Sequence, residues 1–122
     1  MDRALILVTA AICAAIGLFF MAAPDRAAAA VGIALTNPTA RIDVQATYGG
    51  MCVGLGVWMA ACAQRPEWNR VGLIGVGATF GGLALGRGLA MARGTPAEPM
   101  MWLFLGIEVA FAVAAVVRYT RQ

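Results

Sequence analysis

The chain has 122 residues, 61% of them hydrophobic and only 12% charged, with nine arginines against six acids for a net charge of +3. A soluble domain is roughly half apolar and about a quarter charged, and a chain this short has too little interior to bury such an apolar load. The composition therefore excludes an ordinary soluble domain and makes a bilayer the expected solvent. The arginines are dispersed and several flank apolar runs, the pattern of a membrane protein rather than of a nucleic-acid-binding patch. Histidine, the commonest metal ligand and proton shuttle, is absent.

Ala4 to Ala23 is the first expected span, long enough for a hydrocarbon core of ~30 Å. It follows Arg3 as a signal peptide would, but its apolar run is longer than a secretory h-region and further spans follow it. Pro24 and Asp25 start the next segment, and Ala27 to Ala30 propagate it as helix. Ending near Leu35, it is too short to span, so a helix lying in the interface is expected there. Turn chemistry at Thr36, Asn37, Pro38 and Thr39 closes it.

The second span runs from about Ile42 to Ala63, with a polar start and a Gly-, Val- and Met-rich remainder. A polar loop from Gln64 to Arg70 carries Trp68. Val71 to Met91 is the third span. A second loop, Arg93 to Pro99, leads to the fourth, Met100 to Val117, and Arg118, Tyr119 and Arg121 follow. The expected fold is all-α: one membrane domain over residues 1–122, a four-helix bundle with a short interfacial helix between the first two spans. Gly49, Gly50, Gly54, Gly77, Gly81, Gly82 and Gly86 are assigned to helix packing, because Gly50-x-x-x-Gly54, Gly77-x-x-x-Gly81 and Gly82-x-x-x-Gly86 let backbones approach closely in lipid. Such patterns do not distinguish an internal contact from a dimer.

Four spans put both termini and the middle loop on one side, with Arg3, Arg65, Arg70, Arg118 and Arg121. The other side holds Arg26 and Arg93, plus Arg41 and Arg87 at span ends. The bias places both termini in the cytoplasm. Cys13, Cys52 and Cys62 fall inside apolar runs with no zinc or redox spacing and read as core residues. No metal, cofactor or catalytic set is expected.

The strongly polar residues of the spans gather in the outer half. Arg41, Gln45 and Tyr48 lie on one helical stripe with Asp43 beside it; Arg87 lies about a turn from the outer end of the third span, and Glu108 is ~12 Å into the fourth. Ionisable residues inside a span are costly and face protein or water. The expectation is an outward-opening polar pocket around an Arg87–Glu108 ion pair, with Arg41, Asp43, Gln45 and Tyr48 near it. The same residues also admit structural roles. The ion pair can fix helix register, Arg87 can snorkel, Tyr48 can anchor at the interface and Asp43 can answer the helix dipole.

Arg41, Tyr48-Gly49-Gly50, the pair Gly54 and Gly56, Gly86-Arg87, a turn with Gly94 and Pro96, and Glu108 occur in that order. The sequence thereby resembles the small bacterial membrane proteins of domain of unknown function 4345, which are similar in layout to the DoxX-like four-helix proteins. The resemblance covers most of the chain and implies four spans in a bacterial inner membrane. It marks Arg41, Tyr48, Gly49, Gly50, Arg87 and Glu108 as family-pattern positions and supplies no activity. Some DoxX-like proteins are associated with quinone-linked sulfur oxidation, but no haem, iron–sulfur or flavin ligand set is present here to support that chemistry.

Three functions compete. An accessory or scaffold protein, joined to a membrane-protein partner or to copies of itself, comes first, on the tiny loops and glycine-rich faces. A binding protein or carrier for a small lipophilic or anionic molecule comes second, on the Arg87 and Glu108 cluster. An intramembrane enzyme using Glu108 as acid–base and Tyr48 as donor comes last, for want of a nucleophile or second buried carboxylate. A small multidrug exporter is disfavoured, since its membrane acid lies in the first span and this first span has none. The expected partners are thus the lipid bilayer, a membrane-protein partner or further copies of the chain, and a small lipophilic ligand; nucleic acid is excluded.

Overall fold

The computed structural model describes residues 1–121, and no strand occurs among them. The elements are α1 (Asp2–Ala22), α2 (Pro24–Ala30), α3 (Pro38–Val44), a π-helical stretch (Gln45–Met51), α4 (Cys52–Ala63), a 3-10 turn (Pro66–Trp68), α5 (Asn69–Ala92) and α6 (Pro99–Thr120). Four stretches are long and apolar enough to cross a membrane: Asp2–Ala22, Pro38–Ala63, Pro66–Ala92 and Pro99–Thr120. All four begin earlier than hydropathy alone suggests, because helices run on through polar residues that can stand at a membrane surface. Leu85 is 75% exposed and Trp102 59%, and only 11% of the most apolar part of α6 is buried. Such faces require an apolar surrounding.

The turn-rich stretch at Asn37-Pro38 starts a helix as well as ending one. The Asn37 side chain accepts from the Ala40 N–H at 2.8 Å, and Pro38 occupies the first helical position. The preceding helix stops at Ala30 instead of reaching Leu35. Gly32 adopts φ +76°, its N–H donates to Ala29 and that of Ile33 to Ala28, a Schellman stop available to glycine. Gly94 repeats the device after α5, at φ +88°, with Gly94 donating to Met91 and Thr95 to Ala90.

The chain forms two compact units, one of residues 7–61 and one of residues 1–6 with the chain from Cys62 onward. In the first, α1 meets the π stretch and α4 backbone to backbone. A Cβ at Gly17 would lie 2.7 Å from the Gly49 carbonyl and from Val53, and one at Gly56 would lie 2.8 Å from the Ala10 carbonyl. The contact order, Gly17 with Gly49 and Gly56 with Ala10, makes the pair antiparallel. Phe20, Ala27, Ala28 and Val44 form a core on which Val31, Ile33 and Leu35 pack. This core pins α2 and the extended segment after it.

In the second unit α5 and α6 pack antiparallel along most of their length. Gly72 sits against Ile6 and Cys62. Near the ends of the chain Arg118 pairs with Asp2, and the Arg70 guanidinium lies 4.6 Å from the Tyr119 ring centroid.

Candidate functional site

The α5–α6 seam sets the site. Ala115 lies opposite Gly77 and Ala112 opposite Gly81, while Phe80 stacks on Phe111 with centroids 4.8 Å apart. Small residues thus face each other at one level and rings at the next. Continuing this register brings Arg87 level with Phe104, over whose ring the guanidinium lies at 5.4 Å. Glu108 is a turn further along α6. Helical side chains tilt toward their own N-terminus, and in an antiparallel pair the two tilts are opposite. Arg87 and Glu108 therefore lean toward one another and close the offset.

The resulting contact is a two-point fork. Arg87 Nε donates to Glu108 Oε2 at 3.0 Å and Nη2 to Oε1 at 2.7 Å, the strong bidentate geometry of an arginine–carboxylate pair. Nη1 donates to the Met101 sulfur at 3.2 Å. Glu108 is 5% exposed and the Arg87 side chain 25%. The pair is thus removed from water on the carboxylate side and open on the arginine side. Phe104, Met101 and Glu108 hold the guanidinium plane in one orientation.

Arg87 also forms part of the wall of a cleft of about 430 Å³ between the end of α5, the following loop and the start of α6. Gly82, Leu83, Gly86, Ala90, Met91, Thr95, Pro96, Ala97 and Met101 complete its lining. A second hollow of about 510 Å³, lined by Gly88, Trp102 and Leu105 among others, has no charged residue in its wall.

The remaining expected site residues belong to the unit of residues 7–61. In residues 7–61, Arg41 pairs with Asp25 of α2 at 3.1 Å, Gln45 donates to the Met21 carbonyl at 3.2 Å, and Tyr48 stacks on Phe20 at 5.0 Å. Tyr48 is 45% exposed. The Asp43 side chain is exposed, and its carbonyl accepts from Thr47 at 2.7 Å. Thr47 and the adjoining glycines fall in the π-helical stretch, where the wider turn presents Gly49 to Gly17 and Met21.

The roles of Asp25 and Asp2 as ion-pair partners were not read from the sequence. Asp25 was visible there as a helix-start acid, but its tie to Arg41 depends on the fold of α2. The packing glycines divide by face. Gly49 is in tight contact, Gly77 and Gly81 make ordinary contact, and Gly50, Gly54, Gly82 and Gly86 have nothing within 4 Å of where a Cβ would stand. Gly17, Gly56 and Gly72 also make close approaches, outside the spaced glycine patterns. Cys13, Cys52 and Cys62 are free thiols, and no cluster of three or more potential metal ligands occurs among the described residues.

Removing one partner of a buried ion pair strands the other, whereas replacing both by apolar groups does not. Glu108→Leu alone should therefore lower thermal stability in mild detergent more than Glu108→Leu combined with Arg87→Met. A double-mutant cycle should return a coupling of about 1–3 kcal/mol; additive losses would show that the pair is not a unit.

The chain matches the domain of unknown function DUF4345 over residues 1–119. No curated protein and no solved structure matches it. The match takes in all four long helices, the α5–α6 seam and both residues of the fork, and the chain belongs to the DUF4345 family.

Proposed function

We propose that this chain is a small integral membrane protein of accessory type, crossing a bacterial inner membrane four times and docking a partner's spanning helix against α4 and the π stretch before it. The layout it shares with DoxX-like proteins is part of the same reading. The observation that carries the docking face is the division of the glycines. Gly49 and Gly56 are consumed by α1, while Gly50 and Gly54 lie open, one turn apart, beside exposed Val57. A glycine in a helix interior costs about 0.5–1 kcal/mol relative to alanine. Two outward glycines at this spacing, on the helix whose other face already packs backbone to backbone on α1, suit a helix that seats on them. The partner is a helix of a second copy or of another membrane protein.

The membrane placement rests on the four apolar helices. The orientation rests on the arginines, five on the side of the termini against two on the other once Arg41 and Arg87 at the span ends are set aside. In a variant lacking the native cysteines, a membrane-impermeant thiol reagent added to intact cells should label Thr95→Cys and spare Glu67→Cys. The opposite labelling would invert the topology.

For the docking face, Gly50→Ile with Gly54→Ile should keep the melting temperature of wild type in detergent. The same variant should lose the complex seen by native mass spectrometry of protein extracted from its own membrane. Gly17→Ala and Gly56→Ala are the contrast: overpacking should destabilise each by about 1–3 kcal/mol. A wild type that is bare and monomeric on extraction, or a complex indifferent to the double substitution, would reject the docking reading.

A further inference from the structure

We propose that the cleft beside Arg87 binds a neutral amphiphile whose polar head carries a carbonyl-type oxygen, with its chain laid along Gly82 and Gly86. The cleft is built from α5, the loop after it and α6 alone, and it shares with the docking reading only the placement in a membrane.

Three observations converge. The first is the state of the cation. Glu108 takes Arg87 by its Nε and Nη2, so the pair carries no net charge. An anionic head at Nη1 would add a negative charge to a pair that already balances, leaving it uncompensated in an apolar seam, which is costly. A neutral oxygen acceptor meets no such penalty.

The second is an acceptor that Nη1 meets at the cleft wall, the Met101 thioether at 3.2 Å. A thioether is a weak acceptor on a flexible stem. A carbonyl oxygen accepts better and displaces it without touching the fork to Glu108. Because Phe104 and Glu108 already fix the guanidinium plane, little ordering is lost when the ligand arrives.

The third is the floor. Gly82 and Gly86 are open where a Cβ would stand, and both line the cleft with Leu83, Ala90 and Met91. This is an apolar trough one helical turn long, leading away from the arginine. At about 430 Å³ the cleft falls within the range of small-molecule sites, roughly 300–1,000 Å³, and is mostly apolar with one fixed donor.

Monooleoylglycerol and oleate are suitable probes, since they share one chain and differ in the charge of the head. Native mass spectrometry of the purified protein in mild detergent, at alkaline pH where oleate is ionised, reads their occupancy. The expected result is one monooleoylglycerol per chain, bound at least about tenfold more tightly than oleate. Gly86→Leu and Ala90→Phe, which fill the trough from positions with free space or surface exposure, should each weaken monooleoylglycerol about tenfold or more. Gly50→Ile with Gly54→Ile should leave it bound. Dioleoylglycerol, with the same ester head and two chains, identifies the source: its binding assigns a bilayer glycerolipid, and its exclusion assigns a free single-chain molecule. Oleate binding as tightly as monooleoylglycerol, no monooleoylglycerol adduct, or an adduct unchanged in both trough-filling variants would overturn the proposal.

Discussion

A carboxylate at the middle of an apolar helix has to be answered by something, and the α5–α6 seam is arranged around that requirement. Glu108 lies about 13 Å along α6 from Pro99 at 1.5 Å per residue and is 5% exposed. Water cannot serve it there, and an unpaired charge in such a place is costly. Arg87 supplies both hydrogen bonds, and this fixes how α5 slides against α6. A shift of one turn would take the guanidinium from the carboxylate and at the same time separate Phe80 from Phe111 and bring bulk against Gly77. The ion pair, the ring stack and the small-residue contacts therefore specify one register together. In the membrane placement proposed above, the hydrophobic effect would give little preference among registers, and such discrete contacts would have to supply it.

Glycine does the corresponding work in residues 7–61. Among the described residues no ion pair lies between α1 and α4; instead Gly17, Gly49 and Gly56 bring backbones so close that a Cβ there would clash. The π-helical stretch from Gln45 to Met51 belongs to this arrangement, since its wider turn holds Gly49 against α1 and leaves Gly50 outside. Polar pairs stand at the edge of this unit, where Arg41 ties α3 to α2 through Asp25. The two units thus reach definite packing by different means, one by charge and rings, the other by the absence of side chains.

The helical architecture was legible because the apolar runs are long and the breaks between them are rich in proline and polar residues. Helix starts were less legible, because hydropathy marks where the apolar run begins and Asn37-Pro38 marks where helical hydrogen bonding begins. Arg87 opposite Glu108 was readable from depth and from the lack of another buried counter-charge. The sulfur of Met101 and the ring of Phe104 under the guanidinium follow only from the register of two antiparallel helices. For the glycines, spacing alone drew attention to Gly50 and Gly54. Gly49 and Gly56, seven residues apart on the inner face, carry the tight contact, and which face of a uniformly apolar helix is inner cannot be read from an amphipathic pattern that is nearly absent.

The seam itself can be measured in a bilayer. Solid-state NMR of protein labelled with ¹³C at the glutamate side chains and ¹⁵N at the arginine side chains, reconstituted in lipid, reports carboxyl-to-guanidinium dipolar couplings. A strong coupling that disappears in Glu108→Gln and in Arg87→Met, with the other glutamates silent, is the predicted result. A Glu108 carboxyl with no arginine nitrogen at hydrogen-bonding distance would contradict the register, the orientation of the guanidinium and the neutral cleft that depends on it.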